Sequence, residues 1–248
     1  NSRVIRWFSK LRVTLDKIIW SSLMYKHAAM PIFMFSLCIN AQEIPDYSGE
    51  YMFTNSKVAM KGIRELVTED NGARVIRFNA KFPLGRISIQ SNFIEKDNVM
   101  TSKKYSVSAR LAIIKDQRVL DFNQEEGTVT SKGKFNWTQN LLTNENVFDP
   151  LNVQIQIRKN VISGLTEFSL KLPDLKTGLI ESDNYKIIGD GSFEVDGKIY
   201  PCKVVERIRL QDNRTTKYFL ATELNYLIIK VEDEDKDGDT MLELKKLY

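Results

Sequence analysis

The run Asp233-Glu234-Asp235-Lys236-Asp237-Gly238 has the D-x-D-x-D-G spacing that opens a calcium loop. Such a loop closes on a bidentate glutamate at its twelfth position, and that position here is Leu244. The flanking segments 226–231 and 241–247 alternate like strands, so a hairpin turned by Asp237-Gly238 with solvated carboxylates at its tip accounts for the run. No metal site is expected. Glu125-Glu126, beside Gly127, reads as a polar turn, and no spacing elsewhere singles out a pair of carboxylates for acid–base work. There is no phosphate-binding glycine loop. Asn136-Trp137-Thr138 and Asn213-Arg214-Thr215 fit a glycosylation pattern, which carries no chemistry of its own.

Histidine and cysteine are scarce: His27 is the one histidine, and the two cysteines are Cys38 and Cys202. Both His27 and Cys38 fall in a stretch that reads as a secretory leader. Lys26 and His27 form a short basic region after Met24, Ala28 to Ile39 is an apolar core, and Ala41 suits cleavage before Gln42-Glu43. Such a core is shorter than the about 20 residues a spanning helix needs. Leu37 before Cys38 does not suit lipid attachment. Residues 1–23 interleave Arg3, Arg6, Lys10 and Arg12 with Trp7, Phe8 and Leu11, which is either a basic amphipathic helix able to lie on a membrane or an upstream extension without function. The expected division is therefore 1–41 as signal peptide plus extension and 42–248 as one β-rich domain. Membrane contact is expected only through 1–41, if uncleaved.

Cleavage would leave no histidine and a single cysteine. Ser-His-Asp and Cys-His nucleophiles, histidine zinc sites and an internal disulfide are then all excluded. The leader holds six of the 36 basic and one of the 32 acidic residues, which leaves 30 and 31 and turns a net charge of +4 into −1. Without a positive field, nucleic-acid binding loses its main source of affinity, and Phe78, Phe93, Phe135 and Trp137 read as core. The chain is expected to be no enzyme and to carry no catalytic residues or cofactor.

One segment stands apart. Asp149 can cap a helix and Pro150 suits the first helical position, yet Leu151, Val153, Ile155 and Ile157 alternate with Asn152, Gln154, Gln156 and Arg158 as in a half-buried strand. The caps favour a helix over about 150–162, with Leu151, Ile155 and Ile162 on one face and Gly164 as its stop. A strand remains the alternative. This 146–164 segment joins two β-rich halves.

The same run, Asp149-Pro150-Leu151-Asn152 ending in Ile157-Arg158, resembles the D-P-L-S…L-R signature of an exported bacterial family known as domain of unknown function 3108. A second match comprises Gly197, Arg207, Arg214-Thr215-Thr216, Ala221, Tyr226 and Asp237-Gly238, so the resemblance spans roughly residues 47–248. Asn152 stands where the family has serine, and Ile228 where it has proline. The resemblance implies an exported, mostly antiparallel β protein of no established activity, whose closest analogy is the open, curved sheet of periplasmic lipoprotein carriers. It also singles out Asp149, Pro150, Leu151, Arg158, Arg207 and Arg214 as a ligand or structural signature. The three arginines either meet an anionic head group or a partner's carboxylate, or each pairs with an internal acid, as Arg158 would with a carboxylate below the helix.

The elements that must position these residues are strands. Segments 57–68 and 73–82 flank Asn71-Gly72, a strong hairpin signal, and 86–95 alternates cleanly. Turns are expected at Lys96-Asp97-Asn98, Lys115-Asp116-Gln117 and Ser131-Lys132-Gly133, as in a meander. Past the central segment, strands are expected at 168–172, 185–188, 192–195, 198–210, 215–223, 226–231 and 241–247, with Asp196-Gly197 as a tight turn. The fold class is mainly β: a strongly curved antiparallel sheet, an open barrel or clam, with one helix on its concave side. A periplasmic envelope protein follows, holding a lipid or other hydrophobic ligand, or a lipoprotein acyl chain, in the concavity. The alternative is a structural or assembly protein with a filled core that binds an envelope protein partner.

Overall fold

A computed structural model describes residues 43–56, 58–83, 85–96, 99–111, 114–142, 145–209, 214–235 and 238–248. The expected leader lies outside these residues, as do Asp97-Asn98, Asn213 and Asp237. Among the described residues, fourteen strands form one antiparallel sheet. Eight precede the helix: β1 (Tyr47–Asn55), β2 (Ala59–Thr68), β3 (Arg74–Phe82), β4 (Gly85–Lys96), β5 (Val99–Leu111), β6 (Ile114–Asn123), β7 (Thr128–Gly133) and β8 (Trp137–Asn140). Helix α1 (Val153–Ile162) follows. Six strands complete the chain: β9 (Glu167–Pro173), β10 (Ile180–Val195), β11 (Lys198–Ile208), β12 (Thr215–Ala221), β13 (Leu227–Glu234) and β14 (Thr240–Leu247).

The order across the sheet, β8 to β1 followed by β14 to β9, makes each half a meander and places β1 against β14 at the centre. Strands β8 and β9 are consecutive in the chain yet sit at opposite edges. Their connection must therefore cross the sheet, and it does so as α1. Strands β8 and β9 do not pair with each other: the Trp137 indole donates to the Leu175 carbonyl at 3.2 Å, and a parallel bridge joins Val147, in the connection, to Lys171 of β9. The sheet is thus strongly curved and open, with a helix in its concavity.

Side-chain parity builds the interior. On β2 the buried positions are Met60, Gly62, Arg64 and Leu66, and on β3 Arg74, Ile76, Phe78 and Ala80 share the inward face, with Val75 buried on the other side. One apolar layer packs Leu66, Ile76, Phe93, Leu120 and Val129 with Leu170, Val205 and Leu220 around the helical residues Val153, Ile155, Ile157 and Val161. A second layer, of Tyr51, Met60, Phe78, Cys202, Ile229 and Leu244 among others, closes the two halves on each other where the helix does not reach. Gly62 lets the Phe78 ring lie flat on β2.

Several expected boundaries move. Lys115-Asp116-Gln117 lies inside β6, not in a turn, because β5 and β6 pair as far as Leu111 and Ile114, and Asp116 is used by Arg118 on the sheet surface. Ser131 to Gly133 likewise ends β7, where Ser131 faces inward. The two strands expected at 185–188 and 192–195 are one strand, β10, with a register shift between Ile187 and Gly189. Asp233 and Glu234 belong to β13. The hairpins at Asn71-Gly72 and Asp196-Gly197 form as expected, with Gly72, Asp196 and Gly197 at positive φ.

The helix buries more than one face. Val153, Ile157 and Val161 lie on one flank and Ile155 and Arg158 on another, all 5% exposed or less, while Ile162 is only half-buried. A sheet wrapped around a helix covers both flanks, so residues two apart are both buried and the sequence alternates like a strand. Gly164, at φ +85°, ends the helix: its N–H reaches the Val161 carbonyl and the next N–H, of Leu165, reaches Asn160, as in a Schellman cap.

A Cβ on residue 62 would lie 2.5 Å from Phe78 Cζ and 2.8 Å from the Asn79 carbonyl. Gly62→Ala is therefore expected to lower stability by about 1–3 kcal/mol in urea denaturation, since the ring and backbone must both move. An unchanged midpoint would mean that Phe78 does not pack on the glycine.

Candidate functional site

The segment Asp149 to Asn152 positions everything on the concave side. Asp149 and Asn152 are wholly buried. Asp149 Oδ1 accepts from the Leu151 and Asn152 amides at 2.8 and 2.9 Å, and Asn152 Oδ1 accepts from the Asp149 amide at 2.8 Å. This reciprocal pair is a capping box built from Asp and Asn, and Pro150 adds no orphan donor. Two inward serines tie the box to the sheet. Ser91 Oγ donates to Asp149 Oδ2 at 2.5 Å, and Asn152 Nδ2 donates to Ser102 Oγ at 2.9 Å, which in turn donates a hydrogen bond to the Val147 carbonyl at 2.8 Å. Burial pushes the Asp149 carboxyl up to about 6, against the opposing pull of these hydrogen bonds.

Beside the helix lie three buried arginines, each 2% exposed: Arg64 on β2, Arg74 on β3 and Arg158 on α1. Arg74 donates to the Ile44 carbonyl at 2.7 Å and Asp46 at 3.0 Å, and approaches Glu95 at 3.5 Å. Arg64 donates to Gln154 Oε1 at 2.7 Å and stands 5.6 Å from the Tyr51 ring centre. Arg158 donates to the Asn225 carbonyl at 3.0 Å and stands 5.5 Å from the Tyr47 ring. No carboxylate pairs with Arg158 among the described residues, and its Nε and Nη1 have no hydrogen-bond partner. Burial, aided by Arg64 and Arg74, lowers its pKa to about 10, so it stays charged at neutral pH. The carbonyl it holds belongs to a strained turn, with Asn225 and Tyr226 at φ +50° and +55°.

Arg207 and Arg214 do have internal acids. Arg207 bonds Asp183, which together with Tyr185 and Tyr218 raises its pKa against the effect of burial. Arg214 grips Asp233 through Nη2 and through Nε at 2.8 Å, while Thr216 donates to the same carboxylate at 2.7 Å. These contacts outweigh burial and hold the Asp233 carboxyl below the usual range. Both arginines line a cleft of about 190 Å³ that also includes Gln154, the partner of Arg64. The signature residues thus divide: Asp149, Pro150 and Leu151 form the cap, Arg158 a buried cluster, and Arg207 and Arg214 the wall of a cleft. A larger cleft of about 450 Å³ lies between the polar side of α1, at Gln156 and Asn160, and Ser169 to Lys171 of β9.

Arg64, Arg74 and Gln154 are the residues that sequence reasoning missed. The signal was strand parity: Arg64 shares its face with Met60 and Leu66, and Arg74 with Ile76 and Phe78. A charge on an apolar face is the feature to look for. Among the described residues no group of three His, Cys, Asp or Glu is placed to hold a metal, and no helix is long and apolar enough to cross a membrane.

Fold and site together define an open, β-barrel-like protein with a helix-filled interior and arginine-rich polar features. No family model and no curated protein matches the sequence. Among solved structures, the chain is similar to a β-barrel-like protein of domain of unknown function DUF1849 from Brucella abortus. The TM-score is 0.53 at 10% identity, over 83% of this chain and 98% of that one. At that identity the likeness is one of fold.

Two predictions follow from burial. Because Asp149 titrates near 6 in the folded chain and near 3.8 unfolded, its stabilising contribution is complete below pH 4 and lost as pH rises through 6. The stability of Asp149→Asn relative to wild type should therefore improve by up to roughly 3 kcal/mol between pH 4 and 7 in denaturant titrations. A gap independent of pH would contradict a raised carboxyl. Arg158→Ala should destabilise by about 2–4 kcal/mol through lost packing. Arg158→Met should recover about half, since it refills the space without the desolvation cost; equal losses in the two variants would show that the charge itself is required.

Proposed function

We propose that this chain is a non-catalytic protein of the bacterial envelope, related to domain of unknown function 3108, exported to the periplasm by a leader ending at Ala41. It acts as a rigid scaffold that contacts an envelope protein partner. The observation that carries this reading is the filled concavity. Where a lipid carrier would need an apolar hollow, this sheet holds α1, its capping box and two layers of side chains. The larger cleft is lined by Glu145, Asn146, Gln156, Asn160, Ser169 and Lys171 alongside Val99, Phe148 and Leu170, a wall too polar for acyl chains. The likeness to the Brucella protein is one of fold and favours no ligand class.

Catalysis has little support. In neither cleft do two carboxylates converge among the described lining residues. Cys202 is 2% exposed and burial pushes its thiol up to about 11, which keeps it from acting as a nucleophile. Nucleic acid is not a partner of this reading, given the net charge of −1 beyond residue 41.

Crosslinking in intact cells, followed by N-terminal sequencing and organic extraction of the purified protein, tests the reading. The expected outcome is one stoichiometric protein adduct, a chain that begins at Gln42, and no co-purified lipid. Fatty acid recovered at near-equimolar amount, with a melting temperature that rises with chain length, would return the carrier reading. Recovery from the cytosol with the leader intact would end the envelope assignment.

A further inference from the structure

Strand β9 ends the sheet with one side largely unpaired. The Ile187 amide donates to the Thr166 carbonyl at 2.8 Å, so Thr166, Phe168 and Leu170 turn their backbone groups to β10, and Glu167, Ser169 and Lys171 turn theirs outward. Lys171 has a neighbour there: it forms the parallel bridge with Val147, and its carbonyl accepts from the Phe148 amide at 2.8 Å. Glu167 and Ser169 do not. Among the described residues, no backbone group or side chain pairs with their outward N–H and C=O groups.

The larger cleft lies against this open side, with Ser169 to Lys171 as one wall and Gln156 and Asn160 of α1 as another. Its volume of about 450 Å³ equals the share of roughly fifteen water molecules at about 30 Å³ each, room for a short extended segment. Its charges cancel: Glu145 and Lys171 are the two ionisable residues of the described lining, and they pair at 2.7 Å. The remaining polar groups are amides and a hydroxyl, with Gln156 donating to Asn160 at 2.8 Å. The side chains of the edge are also occupied. Ser169 Oγ donates to Asn184 at 2.6 Å and Glu167 pairs with Lys186 at 2.6 Å, both on β10, so what β9 has left to offer is backbone.

We infer that the open side of β9 takes up an extended, uncharged peptide segment of a partner as an added strand, seated in the cleft beside Gln156 and Asn160. The chain displays this mode on itself: the segment 146–148 already lies along β9 at Lys171, and the cleft, lined by Asn146 and Ser169, continues from that bridge. In strand addition the main-chain hydrogen bonds supply affinity and alternate side chains supply specificity. Every second residue of the segment faces α1, where amides and the internally neutral Glu145–Lys171 pair suit small polar side chains and leave a charged one without a counter-ion. The inference rests on the reading of a protein partner and adds where and how that partner docks.

Selection from a random peptide library displayed on phage, with the full chain immobilised, tests the inference once the affinities of the selected peptides are measured in solution. The selected peptides are expected to be uncharged. N-methylation of alternate amides should weaken binding about tenfold or more in one phase, where those amides face β9, and leave it unchanged in the other. On the protein, Ser169→Pro removes an edge donor that makes no ladder bond and should weaken binding to a similar degree, while Ser169→Ala keeps the donor and should bind as wild type does. If Ser169→Pro fails to fold, the methylation series decides alone. Peptides insensitive to methylation in both phases, or no peptide selected at all, would overturn the inference, as would binding of the neutral oligosaccharide maltotriose in place of any peptide. A stoichiometric adduct in intact cells without any selected peptide ends this inference and leaves the partner reading standing; peptide binding without an adduct does the reverse.

Discussion

The reciprocal hydrogen bonds between Asp149 and Asn152 hold the one connection on which this topology depends. Two meanders that meet at β1 and β14 leave β8 and β9 at opposite edges, and the chain between them has to cross a concave surface covered with apolar side chains. A loop there would bury unsatisfied backbone groups. A helix satisfies its own, except at its ends, where the capping box takes up amides at the N-terminus and the turn at Gly164 takes up carbonyls at the C-terminus. Ser91 and Ser102, inward on β4 and β5, then fix the helix in register with the sheet.

Around that anchor the interior is heavily charged for a β protein. Arg64, Arg74 and Arg158 are each nearly inaccessible, and among the described residues only Arg74 of the three meets carboxylates. Tyrosine rings and carbonyls take the place of acids for the other two: Tyr51 and Gln154 for Arg64, Tyr47 and Asn225 for Arg158. Such groups compensate a guanidinium only partly, and an apolar residue of similar size would be easier to bury. The arginines therefore constrain rather than stabilise. Arg158, for one, ties the helix to the left-handed turn that starts β13.

The β class, the curvature and the helix in the concavity were legible in the sequence, because alternation, Asn-Gly and Asp-Gly pairs and the Asp-Pro cap are local signals. The strand-like alternation of α1, which left a strand as the alternative reading, has a physical reason: a helix enclosed on both flanks loses its single apolar stripe. Turn residues at 115–117 misled because charged side chains on an exposed sheet face have the same composition as a turn. The arginine-lined cleft was only half visible, since Arg207 and Arg214 stood out through resemblance while Gln154 and Arg64 become relevant only when β2, α1 and β12 are brought together. The pairing of Arg158 with an acid below the helix, expected as one alternative, is not found among the described residues; the groups beneath it are a tyrosine ring and a carbonyl.

Whether α1 is an integral core element or a separable lid over a hollow decides the account. Native-state hydrogen exchange of the Ile157 and Val161 amides, compared with those of Phe53 in β1 and Leu242 in β14, measures it directly. The account predicts that helix and central strands exchange together, at the free energy of global unfolding. Helix amides that open at much lower free energy while β1 and β14 stay protected would contradict it, and would restore a sheet with an interior that can empty.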